Sequence, residues 1–172
     1  MADHPQVIFC VRCGQKLEKR VRFGALRPVC PDCNYTHFFD PKVAAAIWTE
    51  RRGEVLLVRR AMEPARGRWT VPGGFVNAGE DPSLAASREC EEETGLKVDI
   101  TGLLDIVAGR EHVRGAGFVI FYRARVTGGN LRAGDDVDRV AWFGKHELPQ
   151  LAFKATHVVV ERWLAGEFQG QT

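Results

Sequence analysis

Residues 74–96 read GFVNAGEDPSLAASRECEEETGL and contain both ends of one helix. Asp81 or Ser83 can cap its start, because a side-chain oxygen at that position accepts a free backbone N–H. Gly95 can end it in the left-handed conformation that glycine adopts at little cost. The sequence therefore predicts a helix over residues 82–94.

Three glutamates, Glu89, Glu92 and Glu93, share one face of this helix. At 100° per residue they fall within an arc of about 100°. Each like-charge pair costs about 0.2–0.5 kcal/mol of helix stability without a counter-ion. Arg88 is close enough to orient one carboxylate, but a single guanidinium does not neutralise three acids and Glu80 as well. A hard divalent cation fits better, and Mg²⁺ is expected because it accepts carboxylates, waters and substrate phosphates.

A solvated acidic face is the alternative interpretation of three glutamates alone. The longer pattern, Gly-x5-Glu-x7-Arg-Glu-x2-Glu-Glu-x-Gly from Gly74 to Gly95, resembles the Nudix box. Such a pattern is specific because its residue types recur at fixed spacings. Cys90 stands where the box has a bulky aliphatic residue. We interpret it as a core residue, since a free cysteine packs as a small hydrophobe.

Two CxxC pairs lie near the N-terminus, at Cys10 and Cys13 and at Cys30 and Cys33. The spacing is typical of a tetrahedral structural zinc site. Two disulfides are the alternative, but nothing in the sequence indicates secretion. A site of four thiolates leaves no open position for catalysis. We therefore predict a zinc ribbon over residues 1–40, in which the metal replaces a hydrophobic core.

The composition, with 45% hydrophobic and 27% charged residues, is that of an ordinary globular protein. A net charge of +2 is too small to argue for nucleic acid as a partner. Residues 1–36 carry a charge of +3, and a zinc ion on four thiolates would reduce it to about +1. We therefore expect the ribbon to be a folding staple, with nucleic-acid or partner binding as the alternative. No apolar run approaches the roughly 20 residues that cross a bilayer. The start of the sequence lacks the pattern of a secretory signal. We expect a cytoplasmic protein with no membrane partner.

Apolar runs on both sides of the helix predict β-strands. Residues 43–49 and 54–60 flank a turn and predict a hairpin of two central strands. Longer strands are predicted over residues 97–107 and 117–126. A closing amphipathic helix is predicted over residues 151–168. Its expected core-facing residues are Val158, Val159, Trp163 and Leu164.

The resemblance implies an α+β fold for residues 41–172, a Nudix-type α/β/α sandwich with a mixed sheet, preceded by the small zinc ribbon. It also implies the site. Glu89 and Glu93 are the principal ligands of Mg²⁺ or Mn²⁺, Glu92 is a ligand or the general base, and Arg88 orients the carboxylates. The carbonyl of the residue before the first box glycine is a further ligand, and here that residue is Gly73. The predicted catalytic set is Arg88, Glu89, Glu92 and Glu93.

Positions outside the helix complete the predicted site. Some Nudix enzymes have an acid six residues before the tryptophan that corresponds to Trp142, and Asp136 occupies that place. An ordinary polar turn is the alternative there. The loop between the two longer strands contains Glu111, which can bind substrate or act as the general base. A solvated hairpin tip without function is the alternative for this loop. The candidate substrate-binding residues are Arg59, Arg60, Glu80 and Glu111.

The resemblance further implies hydrolysis of the pyrophosphate bond in a nucleoside diphosphate linked to another moiety. Independently, carboxylates that hold hard cations suit this reaction, because the cations screen phosphate charge and activate water. The Cys₄ ribbon, the FFDPK segment and the LAF segment resemble the Nudix subgroup of FAD and ADP-ribose pyrophosphatases. We expect a small-molecule nucleotide as partner, ADP-ribose or an FAD-like dinucleotide first, and a homodimer.

Two alternatives stay open at this point. One is a pyrophosphohydrolase of NADH or of nucleotide-capped RNA. The absence of an SQPWPFP-like segment after the box argues against NADH as the main substrate. The other is a binding module with a non-catalytic Nudix domain, against which the complete glutamate set argues.

Overall fold

The computed structural model describes residues 7–109 and 115–168. The chain divides into two compact units, Met1–Pro41 and Lys42–Thr172. No helix in these described ranges is long and apolar enough to cross a membrane.

The first unit is built on a two-stranded antiparallel hairpin, β1 (Glu18–Arg22) and β2 (Ala25–Val29). Two tight turns hold its cysteines. The N–H of Gly14 donates to the Cys10 carbonyl at 2.9 Å, and the N–H of Asn34 donates to the Cys30 carbonyl at 3.2 Å. Each CxxC pair is therefore closed by a backbone hydrogen bond.

The described residues of the second unit form two four-stranded sheets and two helices. One sheet has the order β7-β3-β9-β8, and in the other β5 lies between β10 and β4 and also pairs with β6. The elements are β3 (Val43–Trp48), β4 (Glu50–Arg51), β5 (Glu54–Arg60), β6 (Trp69–Thr70), β7 (Gly73–Phe75), α1 (Pro82–Thr94), β8 (Leu96–Ala108), β9 (Phe118–Gly129), β10 (Val137–Gly144) and α2 (Lys154–Leu164).

The first sheet is mixed, as predicted. β3 pairs in parallel with β9 and antiparallel with β7. β8 and β9, the two predicted longer strands, form an antiparallel pair from Leu96↔Gly129 to Ala108↔Phe118.

The predicted hairpin between residues 43–49 and 54–60 is wrong in its pairing. β3 lies in the sheet with β9, whereas β5 lies in the other sheet, between β10 and β4. The tight hairpin is instead β4–β5. Both runs are apolar on both faces, so each can be the interior strand of its own sheet. Both runs are interior strands, as predicted.

β3 shows why the second unit is a sandwich, since its two faces pack on different helices. Ile47 lies in one apolar cluster with Ala86 and Cys90 of α1. Trp48 lies in a second cluster with Trp163 of α2. Alternate residues of a strand point to opposite faces, so the sheet is covered on both sides. This arrangement confirms the α+β fold and the core position of Cys90.

The closing helix buries a different face from the predicted one. Val159 and Trp163 are buried as expected, but Val158 and Leu164 are 37% and 44% exposed. Val160 is buried in their place. Residues 158–160 form a continuous apolar run, so periodicity alone does not decide which end of the run faces inward.

Candidate active site

The helix α1 begins and ends as its sequence predicts. The N–H of Ser83 donates to the Asp81 carboxylate at 2.8 Å. Gly95 has a φ of 68°, and its N–H donates to the Glu91 carbonyl at 2.8 Å. A side chain at Gly95 would meet the carbonyl oxygen of Asn130 at 2.5 Å. Capping therefore fixes the helical register and the direction of its acidic face.

Three carboxylates converge beside this helix. Single oxygens of Glu89, Glu92 and Asp135 all lie within 4.8 Å of one another. Six oxygens around Mg²⁺ at about 2.1 Å are separated by roughly 3.0 Å when adjacent and 4.2 Å when opposite. The donor chemistry and the spacing of these carboxylates fit a hard divalent cation.

Asp135 reaches this cluster because its loop caps the C-terminus of α1. The N–H of Arg132 donates to the Thr94 carbonyl at 2.9 Å, and that of Gly134 to the Glu93 carbonyl at 3.1 Å. These bonds satisfy helix carbonyls that have no partner within the helix. Sequence reasoning missed Asp135. The polar turn around it was the available signal, but it did not distinguish two adjacent aspartates.

Asp136, the predicted acid of this loop, lies elsewhere. Its carboxylate is 3.9 Å from the Arg60 guanidinium. It is close enough to Glu93 to raise that residue's pKa, although burial is the larger cause. A metal-binding role for Asp136 stays a prediction.

Arg88 holds three acids at once. Its Nε and Nη2 donate to the two Glu80 oxygens at 2.8 and 3.1 Å. Its Nη1 donates to Glu89 at 2.7 Å and to Glu92 at 3.0 Å. The hydrogen bonds from Arg88, followed by one from the backbone of Asn77, lower the pKa of Glu80 to about 2. The predicted orienting role of Arg88 agrees with this geometry.

Glu93 is 3% exposed and accepts a hydrogen bond from the Gly73 N–H at 2.9 Å. Burial raises the pKa of Glu93 well above its ordinary value, against the hydrogen bond from Gly73 that lowers it. Burial also raises the pKa of Glu89, despite the lowering effect of Arg88. Burial thus favours the protonated forms of both carboxyls, and a bound cation would oppose this effect.

Gly74 permits the close approach of β7 to α1. A Cβ atom at this position would lie 2.4 Å from the carboxyl carbon of Glu89. No side chain fits there without displacing that carboxylate. Close contact with Glu89 therefore explains why the pattern begins with a glycine at position 74.

A cleft with a volume of about 600 Å³ adjoins the carboxylates. The ammonium of Lys42 lies 5.1 Å from the ring centroid of Phe75, and the guanidinium of Arg60 lies 5.2 Å from that of Phe153. The residues that line the cleft and matter here are Arg60, Gly73, Gly74, Phe75 and Phe153. Gly74 borders both the cleft and Glu89, so the cleft lies next to the carboxylate cluster.

The structure separates two arginines that the sequence left equivalent. Arg60 lines the cleft, and its Nε donates to the Pro64 carbonyl at 2.8 Å. Arg59 instead forms two hydrogen bonds with Asp138, at 2.7 and 2.8 Å. Neighbouring residues of a strand point to opposite faces, so one faces the cleft and the other does not. Glu111, the remaining predicted substrate ligand, lies outside the described residues.

The four cysteines of the first unit form a separate cluster. Sγ–Sγ distances are 3.6 Å for Cys10–Cys33, 3.4 Å for Cys13–Cys30 and 3.6 Å for Cys13–Cys33. Four sulfurs at about 2.3 Å from a tetrahedral zinc ion would be roughly 3.8 Å apart. The donor set fits that ion.

Cys90 does not belong to the cysteine cluster. It is fully buried, and burial raises the pKa of its thiol to about 11. A thiol in such an environment is inert, because the thiolate is the nucleophile.

Comparisons with known proteins agree with this geometry. A NUDIX domain model matches residues 39–164. The ADP-ribose pyrophosphatase of Methanocaldococcus jannaschii is 35% identical over 135 residues, which are 77% of this chain and 80% of that enzyme. The NAD-capped RNA hydrolase NudC of Stutzerimonas stutzeri is 25% identical over 161 residues, 91% of this chain but 56% of that protein.

Among solved structures, a NUDIX hydrolase from Nitrosomonas europaea superimposes with a TM-score of 0.84 and 31% identity, covering 96% of this chain and 94% of that one. The domain match extends over most of the chain and includes α1, Gly73, Gly74 and the loop that contains Asp135. This chain therefore belongs to the Nudix family and is a pyrophosphohydrolase.

Proposed function

We propose that the enzyme cleaves the pyrophosphate bond of a nucleoside diphosphate linked to another moiety in a reaction that requires Mg²⁺ or Mn²⁺, with ADP-ribose or an FAD-like dinucleotide as substrate. The observation that carries this proposal is the cluster of Glu89, Glu92 and Asp135 beside a cleft with Arg60 at its wall. The similarity to an ADP-ribose pyrophosphatase over most of both chains supports the substrate class.

The carboxylates have separate tasks in this proposal. Glu89, Glu92 and Asp135 would hold the cation, which neutralises phosphate charge and activates water. Arg88 keeps the first two in position through its hydrogen bonds. Glu93 is too deeply buried to receive a proton from water. Glu92, whose side chain is 46% exposed, is the better general base, through the oxygen that does not hold the cation.

The cleft supplies substrate recognition. Arg60 is placed to donate to phosphate oxygens, because charge-assisted hydrogen bonds from guanidinium groups suit such ligands. Phe75, which is 47% exposed, and Phe153, which is partly buried, both line the cleft. Aromatic walls of this kind stack on the planar base of a nucleotide. A nucleoside diphosphate conjugate offers both the ring and the bridging phosphates that these residues would bind.

Nucleotide-capped RNA is the second candidate substrate. The similarity to an NAD-capped RNA hydrolase covers 91% of this chain, so it extends into the region of the paired cysteines. The other proposed features are a structural zinc ion on Cys10, Cys13, Cys30 and Cys33, a ribbon over residues 1–40, a catalytic domain over residues 41–172 and a homodimer. Light scattering at micromolar concentration tests the dimer, which a monomer would contradict.

The test is a screen of pyrophosphate conjugates with Mg²⁺: ADP-ribose, FAD, NADH, diadenosine tetraphosphate, deoxynucleoside triphosphates and NAD-capped RNA. We expect AMP release from ADP-ribose or FAD with the highest kcat/KM. Arg60→Met should raise KM by about tenfold through loss of a charged hydrogen bond, whereas the neighbouring Arg59→Met should leave KM nearly unchanged. Hydrolysis of the triphosphates alone, or equal effects of the two arginine variants, would contradict the proposal.

A further inference from the structure

The tip of the β1–β2 hairpin carries an aromatic residue at a position that suits it poorly. Arg22 pairs with Ala25, so Phe23 and Gly24 form a two-residue loop. Their φ values are 50° and 73°, which is the pattern of a type I′ turn. Asn-Gly is the favoured sequence of this turn, and a bulky residue at positive φ is an outlier.

Burial does not compensate for this backbone conformation. Phe23 is 77% exposed, the largest exposed fraction among the large hydrophobic side chains of the described residues. A residue that is both conformationally unfavourable and exposed contributes little to folding. Strain of this kind clusters at functional sites.

Phe23 is the outer member of a three-part stack. Its ring centroid lies 5.9 Å from that of Phe38, with an interplanar angle of 28°. The guanidinium carbon of Arg27 lies 4.7 Å from the centroid of Phe38. Phe38 therefore contacts both the Arg27 guanidinium and the Phe23 ring, and Phe23 is the more exposed of the two rings. An exposed outer ring in such a stack can receive one more planar group.

Arginines concentrate on one face of the same hairpin. Arg20 stands directly opposite Arg27 in the register, and Arg22, two residues from Arg20, shares its face. Like charges directly opposite each other destabilise a sheet. Glu18 lies on this face too and pairs with Arg20 at 2.7 Å. Three guanidinium groups share this face with one carboxylate, so the face favours an anion.

We propose that this hairpin binds single-stranded nucleic acid, with a base stacked on Phe23 and backbone phosphates on Arg20, Arg22 and Arg27. Stacked rings beside arginines bind the two chemically different parts of a nucleotide strand. A duplex keeps its bases inside the stack, so the outer ring reaches the bases of a single strand only. The net charge of the whole chain does not reveal this site, because the basic residues are concentrated on one small surface.

The experiment uses the full-length protein with its metal ions. Fluorescence anisotropy at low salt measures binding of a labelled single-stranded oligoadenylate of about ten nucleotides. Phe23→Asn is the main variant, since it creates the Asn-Gly turn and should fold at least as well as the wild type. Phe23→Tyr keeps the ring, Phe23→Leu keeps only the apolar surface, and Phe9→Asn removes another exposed aromatic residue of the same unit.

We expect Phe23→Asn and Phe23→Leu to weaken binding about tenfold, and Phe23→Tyr and Phe9→Asn to bind as the wild type does. Higher salt should weaken every variant. Thermal unfolding should show that Phe23→Asn is as stable as the wild type. Retained binding in Phe23→Leu would mean that no base stacks on the Phe23 ring and would overturn the proposal. No binding by the wild type at low salt, or equal loss in Phe9→Asn, would overturn it too.

Discussion

The two clusters of ligand-type side chains in this protein differ in how they are closed. The four cysteine sulfurs lie within 4.8 Å of one another, and four thiolates would fill every position around a tetrahedral zinc ion. The three carboxylates beside α1 leave room for further ligands, and a cleft opens next to them. A closed set can only hold structure together, whereas an open set can accept a substrate and water. We therefore propose a folding role for the cysteine cluster and a catalytic role for the carboxylate cluster.

The largest expected effect is the loss of zinc and of folding when one cysteine of the four-cysteine cluster is replaced. Cys30→Ser should remove bound zinc and unfold the first unit, because a segment this short has no other core. Catalysis, by contrast, should persist in the second unit. Metal analysis by mass spectrometry and limited proteolysis measure the two effects. Cys90→Ala is the control, with unchanged zinc content; a Cys30→Ser protein that keeps its zinc would erase the distinction between the clusters.

The open cluster should show the opposite behaviour, a loss of activity without a loss of fold. Glu92→Gln is expected to lower kcat by a factor of about 10²–10⁴, the contribution of a general base. Glu91→Gln is the matched control, since Glu91 is the adjacent residue of α1, exposed and 3.9 Å from Lys97. Steady-state kinetics on the preferred substrate give both values. Similar rates for the two variants would remove Glu92 from the reaction.

A smaller effect is expected from displacing one carboxylate. In Gly74→Ala the new Cβ would lie 2.4 Å from the Glu89 carboxyl carbon, so that carboxylate must move. A displacement of this order costs about 100-fold in rate. Gly102→Ala, with no heavy atom within 4 Å of its new Cβ, should be neutral. If kcat/KM is unchanged in Gly74→Ala, the precise position of Glu89 does not matter.

The smallest effect concerns stability and pH. Arg88 lowers the pKa of Glu80 from 4.5 to about 2, so the folded state binds the proton of this carboxyl less tightly than the unfolded state. Its contribution to the free energy of unfolding is therefore present above pH 4.5 and lost as the pH falls towards 2. Urea unfolding across this range should show a steeper loss for the wild type than for Glu80→Gln. Parallel curves would mean that the Arg88–Glu80 pair does not stabilise the fold.

Both clusters were predictable from the sequence to different degrees, and the reason is distance along the chain. The cysteine spacing and the ends of α1 are local patterns, and the structure has both as predicted. Asp135 lies in a loop more than 40 residues after Glu92. Backbone hydrogen bonds hold this loop against α1, and side-chain patterns do not predict such bonds. The side-chain pattern therefore could not select Asp135 over Asp136.

The sequence did not predict the pairing of the strands over residues 43–49 and 54–60 for a similar reason. Residues 43–49 and 54–60 have the pattern of a hairpin, but their pairing is decided by β9 and β10, which follow much later. The different settings of Arg59 and Arg60 also depend on this pairing, because Asp138 of β10 is the partner of Arg59. Long-range partners decide both outcomes, and local propensity does not describe them.

Binding of Mn²⁺ followed by electron paramagnetic resonance tests the assignment of the carboxylate cluster most directly. The signal of free Mn²⁺ should fall on addition of the wild type or Glu91→Gln, and should fall much less with a Glu89→Gln/Asp135→Asn double variant whose zinc content is unchanged. A free Mn²⁺ signal that the wild type does not reduce, or that the double variant reduces equally, would contradict a divalent-cation site formed by Glu89, Glu92 and Asp135.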